Sequence, residues 1–370
     1  MQIILLPSIF VVAIVLHLAL IRYAHLLGLV DTPNERSMHK KVIPRAAGVA
    51  IFLSVALSQF IFNMEFVLSH FFIHIAILFV FLVGLVDDRN DVSPRFKFVV
   101  IFFATIFIYQ GGVHVDNLGT YFGYEVMLPW FLIFPFTFFA IAGFTNALNL
   151  IDGLDGLAGT VSLVMLITFF AIGITYHDTL IITLSTTFTV AVIAFLLFNW
   201  NPAKIFMGDS GSLTLGFVIS ILSIQSIQYI TPTAVLFVIA IPLLDTFIVM
   251  TRRIQRGQSP FKADKNHMHH FLFNMKGDVR FTVLLLVAIQ LIFSIIGFQL
   301  REEDDFLSLI LFALLFFTFL NLFDQRLRRR KKGRHKQHHL RILSKERSAR
   351  AEQHTFDNSS TPTILTPSET

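Results

Sequence analysis

Residues 128–176 read LPWFLIFPFTFFAIAGFTNALNLIDGLDGLAGTVSLVMLITFFAIGITY, which is two long apolar segments joined by a polar string. Each segment, 128–148 and 157–176, has the length of a membrane-spanning helix, which needs about 20 mostly apolar residues. A carboxylate at bilayer depth is costly unless water, a partner or a metal ion stabilises it. The stretch therefore predicts a helical membrane protein with a polar site where two spans reach one membrane face.

The same apolar pattern recurs along most of the chain. Apolar residues make up 55% of the 370 residues, and the absence of Cys excludes a disulfide framework and thiolate metal ligands. We predict an all-α integral membrane protein with eleven transmembrane helices, at 3–21, 46–63, 66–86, 96–110, 128–148, 157–176, 179–198, 212–227, 232–250, 281–299 and 306–323. Residues 1–323 then form one multi-span domain, and 324–370 form a basic, disordered cytoplasmic tail.

The basic residues lie on one side of this topology. With the N-terminus outside, the inside loops, the tail and the adjacent helix ends hold every Lys and Arg except Arg301. The excess of positive charge on cytoplasmic loops therefore predicts an outside N-terminus and a cytoplasmic C-terminus. The outward segment 111–127 alternates in polarity and carries turn glycines, so we expect a short hairpin there.

Polar clusters occur in four of the five inside loops. Asp87 and Asp88 are adjacent carboxylates that repel each other and favour a cation, although a charge cluster that merely ends a helix explains them equally well. Asn149, Asp152 and Asp155 recur at a spacing of three, and a continuous helix would place them along one wall. Helix capping, the alternative, explains only one residue of that string.

The cluster in the fourth inside loop combines phosphate-binding and metal-binding groups. Gly208 and Gly211 bracket Asp209 and Ser210, and amides at a helix start attract phosphate while the carboxylate suits Mg²⁺. The alternative is an N-cap by Asp209 or Ser210.

The fifth loop holds three histidines close together. In a helix, His267 and His270 would share a face and His269 would lie off it. Such a cluster of histidines suggests a zinc site, but the acids elsewhere are hard oxygen ligands that suit Mg²⁺ or Mn²⁺. The histidines then fit better as donors to phosphate or nucleotide, and an ordinary interfacial loop is the alternative. Asp245, within 232–250, either faces the same cavity or is a buried hydrogen-bonded acid.

Taken in order, these motifs resemble the family of polyprenyl-phosphate N-acetylhexosamine-1-phosphate transferases, also called glycosyltransferase family 4. The resemblance covers about residues 26–280. It is carried by Asp31-Thr-Pro-Asn-Glu-Arg36-Ser-Met-His39 with Pro44 and Gly48, Asp87-Asp88, Asn149-Leu-Ile-Asp152-Gly-Leu-Asp155-Gly and Phe206-Met-Gly-Asp209-Ser-Gly-Ser-Leu. The His267-Met-His269-His270 loop is more similar to the sugar-antigen-initiating branch than to the lipid I synthases. Ala47 departs from the family pattern, in which a paired glycine often precedes Gly48.

The resemblance implies a reaction and its partners. A UDP-N-acetylhexosamine, with GlcNAc as the first choice, would give its sugar 1-phosphate to undecaprenyl phosphate with Mg²⁺ or Mn²⁺, release UMP and start a cell-envelope glycan such as O-antigen. The enzyme would lie in the bacterial inner membrane with a cytoplasmic active site. Phospho-MurNAc-pentapeptide transfer and a proton-coupled transporter are the alternatives. The bilayer, not a nucleic acid, explains the basic tail, and a homodimer stays open.

The resemblance also distributes roles among residues. Asp87 and Asp88 would be catalytic, and Asp209 and Asp152 would bind the metal. The nucleotide or sugar would contact Asn149, Asp152, Asp155, Phe206, His267, His269 and His270, with Phe206 stacking on uracil. Phosphate would contact Arg252, Arg253 and Lys262.

Overall fold

The computed structural model describes residues 2–32, 42–259 and 267–322. These ranges form mainly helices, numbered in chain order: α1 (Gln2–Tyr23), α2 (Ala47–Phe62), α3 (Met64–Ser69), α4 (Phe71–Asn90), α5 (Pro94–Gln110), α6 (Trp130–Ile151), α7 (Leu157–Tyr176), α8 (Thr179–Asn199), α9 (Gly208–Ser226), α10 (Pro232–Val238), α11 (Ala240–Gln255), α12 (Met268–Lys276), α13 (Val279–Gln299) and α14 (Asp305–Leu322). Residues up to Leu314 belong to one compact unit, and of the second unit, from Leu315, only the helical residues to 322 are described. The predicted tail at 324–370 lies outside the described residues.

Two short antiparallel strand pairs accompany the helices. Strand β1 (Val30–Asp31) pairs with β2 (Ile43–Pro44), next to the start of α2. Strand β3 (Asn117–Tyr121) pairs with β4 (Tyr124–Met127) between α5 and α6. The second pair confirms the hairpin predicted for 111–127.

Each of the eleven apolar segments is helical along most of its length. Within the described ranges, seven helices are long and apolar enough to cross a membrane, or eight if the bent pair α10 and α11 counts as one span. The remaining predicted spans are α2, which has 16 residues, α5, which has 17, and the almost wholly buried α9. The all-α membrane fold is thus confirmed, while the count of eleven and the orientation of the termini stay predictions.

The segment 232–250 was expected to be one helix, but it is broken between α10 and α11, whose axes meet at 89°. Proline has no N–H to donate, so Pro242 leaves the carbonyl of Val238, four residues earlier, without its helical partner. Gln290 of α13 takes over this contact, because its Nε2 donates to Val238 O at 2.7 Å and its Oε1 accepts from Ile241 N at 3.0 Å. The buried amide therefore satisfies the backbone on both sides of the break.

Helix α9 lies at the centre of the bundle and packs against α2, α4, α6, α7 and α8. Two glycines of neighbouring helices lie against the backbone of its first turn. A Cβ at Gly48 of α2 would lie 2.1 Å from the backbone nitrogen of Gly211, and a Cβ at Gly84 of α4 would lie 2.6 Å from the carbonyl oxygen of Asp209. Both separations are far below contact distance, so only glycine allows α2 and α4 to pass this close to the start of α9.

Candidate active site

The first turn of α9 is capped by a carboxylate from another helix. Asp88, near the end of α4, accepts hydrogen bonds from Asp209 N at 2.6 Å, from Ser210 N at 2.9 Å and from Ser210 Oγ at 2.5 Å. An anion at this position satisfies free N–H groups and complements the positive end of the helix dipole. Gly208 has a φ of +74°, and its Cβ would lie 2.6 Å from the Asp88 carboxylate. The alternative of an N-cap by Asp209 or Ser210 is therefore wrong, because Asp88 supplies the cap.

With its backbone held by Asp88, Asp209 turns its side chain toward two cations. Arg45 Nη2 donates to Asp209 Oδ1 at 2.6 Å, and Lys97 Nζ donates to Asp209 Oδ2 at 2.5 Å. Arg45 Nε also lies 3.1 Å from Asp88 Oδ1, and Lys97 lies 2.5 Å from Asp87 Oδ2. Three carboxylates and two basic groups therefore form one cluster that carries an excess of negative charge when all are ionised.

Sequence reasoning missed Arg45 and Lys97 as site residues. Both lie at ends of apolar segments that the predicted topology places inside, and at the sequence level they served only to orient the chain. Their signal was their position, since each follows a proline closely and precedes an apolar run. A basic residue at the end of an apolar segment is a candidate partner for carboxylates that lie at other segment ends.

The polar string that joins α6 to α7 does not continue the helix. Helix α6 ends at Ile151, and Gly156, in the left-handed region with φ +79°, precedes the first residue of α7. The prediction that Asn149, Asp152 and Asp155 line one helical wall is therefore wrong. Asn149 donates to Ser212 Oγ of α9 at 2.8 Å, whereas Asp155 binds the α8–α9 loop.

Asp155 and Asn199 shape the loop that leads into α9. Asp155 Oδ2 accepts from Asn201 Nδ2 at 2.9 Å and from Ala203 N at 3.0 Å. Asn199 accepts from Gly156 N at 2.8 Å and donates to Ile205 O at 2.9 Å. Asp155 of the polar string and Asn199 at the end of α8 thus hold the loop 200–207 in place.

Asp152 is the member of the string that interacts electrostatically with the cluster. Part of its surface reaches solvent, yet protein atoms crowd the carboxyl group, and this burial raises its pKa to about 7. Arg45 opposes the rise, while Asp209, Asp88 and Asp155 add to it. An acid with such a pKa is readily ionised by a nearby cation.

Phe206 and Arg45 are held side by side by backbone hydrogen bonds. Phe206 N donates to Pro44 O at 2.8 Å, and Phe206 O accepts from Ala47 N at 3.1 Å. This bridge fixes the register between the segment before α2 and the segment before α9. Phe206, which is half-buried, therefore lies next to Arg45 and two residues before Gly208.

The histidine segment is tied to α11 by a buried acid. Asp245, which is 1% exposed, accepts from Met268 N at 2.6 Å and lies 2.8 Å from His267 Nδ1. Of the two alternatives for Asp245, the structure shows the hydrogen-bonded acid. Arg252 and Arg253 are buried in the last turn of the same helix.

His269 faces the α6–α7 loop. Its ring stacks on His267 at 5.7 Å and lies 4.2 Å from the ring of His270, and its Nε2 is 2.5 Å from the position of a Cβ at Gly153. Burial lowers its pKa to about 3, and neither ring nitrogen has a hydrogen-bond partner among the residues described. The shared helical face expected for His267 and His270 is not formed, because α12 begins only at Met268 and His267 precedes it, and His269 contacts both of the other rings.

Three predicted positions cannot be placed. Lys262, Arg36 and His39 lie outside the described residues, which omit 33–41 and 260–266. Asp87, Asp88, Asp209 and Phe206 lie around the start of α9, and His269 lies against the α6–α7 loop.

Comparisons with known proteins show the family of this chain. The family model described as glycosyl transferase family 4 matches residues 70–227. A probable undecaprenyl-phosphate N-acetylglucosaminyl 1-phosphate transferase of Bacillus subtilis is 33% identical over 301 residues, which cover 80% of this chain and 84% of the relative. The chain belongs to glycosyl transferase family 4.

Other family 4 relatives match over similar lengths. The undecaprenyl-phosphate alpha-N-acetylglucosaminyl 1-phosphate transferase of Yersinia pestis is 32% identical over 344 residues, covering 84% of this chain and 91% of the relative. The protein of the same name from Escherichia coli K12 is 30% identical over 316 residues, covering 80% and 84%. In this family 4 chain the matched range 70–227 contains Asp87, Asp88, Asp152 and Asp209, while Arg45 and the histidine segment lie outside it.

The donor set of this family 4 site suits a hard divalent cation. No group of three or more His, Asp or Glu side chains within the described part of the chain is arranged to enclose a metal ion. Mg²⁺ usually needs no such cage, since it binds through one or two carboxylates together with substrate phosphates and water. The Lys97 ammonium lies between oxygens of Asp87 and Asp209, at 2.5 Å from each, so this position already accommodates a cation.

Proposed function

We propose that this protein transfers N-acetylglucosamine 1-phosphate from UDP-N-acetylglucosamine to undecaprenyl phosphate and releases UMP. The observation that carries the proposal is the cluster of Asp87, Asp88, Asp209, Arg45 and Lys97 at the ends of apolar helices. A water-soluble nucleotide sugar and a lipid phosphate can meet only at a membrane face, where such helix ends lie. The relatives in family 4 are named undecaprenyl-phosphate N-acetylglucosaminyl 1-phosphate transferases, and these names give the acceptor and the transferred group.

The acceptor phosphate would bind beside Lys97 and Arg45. Phosphoryl transfer depends mostly on positioning and on neutralising charge, and both basic groups supply that charge. Asp87 would orient the lipid phosphate through its contact with Lys97, or remove its proton. A base contributes little here, because a phosphate monoester has a second pKa of about 6 and is largely ionised near neutral pH.

Asp88 and Asp209 would have different roles, although the sequence assigned both to the active site. Asp88 uses both oxygens on the backbone and hydroxyl groups of α9, so its role would be to position Asp209. Asp209, with Asp152 close enough to interact electrostatically, would bind Mg²⁺ or Mn²⁺. When bound, that cation would neutralise charge on the diphosphate of the donor.

The nucleotide sugar would lie between Phe206 and the histidine segment. Phe206 offers an aromatic face for uracil, and the α6–α7 loop with Asn149 and Asp155 borders the same space. His267, His269 and His270 would contact the sugar or nucleotide, and Arg252, Arg253 and Lys262 the phosphates. This division keeps the lipid phosphate on the α4–α5 side and the nucleotide on the α6–α11 side.

The proposed topology completes this assignment. Eleven spans with an outside N-terminus would place the α9 start, the α6–α7 loop and the histidine segment on the cytoplasmic face of a bacterial inner membrane. UDP-sugars would then reach the site directly from the cytoplasm.

Isotope exchange tests the function. Purified protein with undecaprenyl phosphate, UDP-GlcNAc and Mg²⁺ should incorporate labelled UMP into UDP-GlcNAc, since the transfer is reversible. Asp209→Asn serves as the matched variant and should lose exchange. Exchange with UDP-GalNAc or UDP-MurNAc-pentapeptide in place of UDP-GlcNAc would identify a different sugar. Absence of exchange with all three donors would contradict the transferase and favour a transporter.

A further inference from the structure

We propose that Asp245 fixes the ring of His267 in one tautomer and thereby presents the Nε2 edge of His267 to the nucleotide sugar as a hydrogen-bond acceptor. The inference rests on the proposed function, and it makes Asp245 a positioning residue of the same site. It assigns a role to a buried acid that the phosphate and metal chemistry does not use.

The tautomer follows from the partners of Asp245. Its Oδ1 accepts the backbone N–H of Met268 at 2.6 Å, and its Oδ2 lies 2.8 Å from His267 Nδ1. A carboxylate without a proton only accepts hydrogen bonds, and the proposal therefore assigns the hydrogen of this contact to His267 Nδ1. In the neutral ring, Nε2 then holds the lone pair.

The position of the ring leaves one edge for a ligand. His267 is 5% exposed, and Asp245 covers its Nδ1 edge. One face stacks on His269, whose own ring lies against Gly153 beside Asp152. The Nε2 edge is the part of the ring that neither of these two contacts covers, and it lies at the border of the proposed nucleotide site.

An acceptor at this point matches the donor groups of a nucleotide sugar. Ribose and hexose hydroxyls and the acetamido N–H can each donate to an unprotonated imidazole nitrogen. The opposite tautomer would turn an N–H toward those groups and remove the acceptor. The effect should therefore appear in the binding of the nucleotide sugar and not in that of the lipid.

Asp245→Asn tests the tautomer directly. The Asn oxygen can still accept from Met268 N, but its amide N–H₂ then faces His267 Nδ1 and favours a ring protonated at Nε2. In protein labelled with ¹⁵N-histidine and reconstituted in nanodiscs, the His267 signal is identified by its loss in His267→Asn. We expect an Nδ1–H ring in the unaltered protein, an Nε2–H ring in Asp245→Asn, and a KM for UDP-GlcNAc raised about tenfold, the loss of one hydrogen bond.

His267→Asn separates presentation of Nε2 from simple anchoring of α12. The Asn amide nitrogen can take the place of Nδ1 and keep the contact with Asp245, but it offers nothing at the place of Nε2. We expect the same rise in KM for UDP-GlcNAc, with the KM for undecaprenyl phosphate unchanged. A normal KM in this variant would overturn the proposal, and this holds even if Asp245→Asn fails to fold.

Asp305→Asn is the matched control. Asp305 is also 1% exposed and accepts hydrogen bonds from Thr233 N, Thr233 Oγ1 and Thr120 N, but it lies by the β3–β4 hairpin. It should lower stability without changing the His267 signal or either KM. An Nε2–H ring in the unaltered protein overturns the proposal, whereas loss of transfer with every donor, beside an Nδ1–H ring, contradicts the proposed function instead.

Discussion

At the scale of single residues, Asp88 and Asp209 lie close together in space but have different partners. Asp88 accepts three hydrogen bonds from the start of α9, while the Asp209 carboxylate forms ion pairs with Arg45 and Lys97. The sequence predicted a cation for the Asp87–Asp88 pair, and the structure shows Lys97 and Arg45 in contact with them. Neither basic residue belongs to the sequence motif that contains this pair.

Asp88→Asn and Asp209→Asn should therefore separate stability from activity. Asp88→Asn turns an N–H₂ toward hydrogen-bond donors and should cost about 1–3 kcal/mol of unfolding free energy. Asp209→Asn leaves Arg45 with Asp88 and Lys97 with Asp87, so its melting temperature should stay near that of the unaltered protein. Transfer should fall at least about 100-fold in both. Thermal unfolding in nanodiscs and initial rates of UMP release measure the two effects, and equal melting temperatures would contradict the capping role.

The raised pKa of Asp152 predicts a pH-dependent stability. Its folded value of about 7 lies above its ordinary value of 3.8, so the folded state disfavours the ionised form and the free energy of unfolding falls as the pH rises from about 4 to about 7. Asp152→Asn removes this loss and should melt a few °C higher than the unaltered protein at pH 8 but not at pH 4. If Asp152 binds the metal, added Mg²⁺ should reduce the difference in melting temperature between the two proteins at pH 8.

At the scale of elements, the start of α9 depends on helices that approach to backbone distance. Gly48 and Gly84 permit this approach, and α2 and α4 thereby bring Arg45 and Asp88 to the first turn of α9. The break between α10 and α11 works in a similar way, because Pro242 frees a carbonyl that Gln290 satisfies. That break sets the direction of α11, which carries Asp245, Arg252 and Arg253.

Gly48→Ala tests the close approach. Its Cβ would lie 2.1 Å from a backbone nitrogen of α9, so α2 must move away, and we expect a loss of about 1–3 kcal/mol in stability together with a fall in transfer. Gly143→Ala in α6 is the matched control, since nothing lies within 4 Å of its added Cβ. Thermal unfolding of the two variants should therefore differ, and equal melting temperatures would count against the packing role.

At the scale of the whole molecule, the absence of Cys makes the orientation directly measurable. Tyr124→Cys places a thiol on the β3–β4 hairpin, at a position 78% exposed, and Gln258→Cys places one after α11. A membrane-impermeant maleimide should label Tyr124→Cys in intact spheroplasts and Gln258→Cys only after permeabilisation. The reverse pattern would contradict the outside N-terminus and the cytoplasmic site.

The sequence by itself determined the helical membrane fold, the hairpin and the residue types of the site, because apolar length and carboxylates at span ends are local properties. Only the tertiary structure decided which groups meet. The string from Asn149 to Asp155 illustrates the difference. Its spacing suggested one helix, but α6 ends at Ile151. Asn149 therefore contacts Ser212 of α9, whereas Asp155 contacts the α8–α9 loop. Arg45, Lys97 and Asp245 gained their roles in the same way, because each has its partners on segments distant in the chain, and packing alone brings these together.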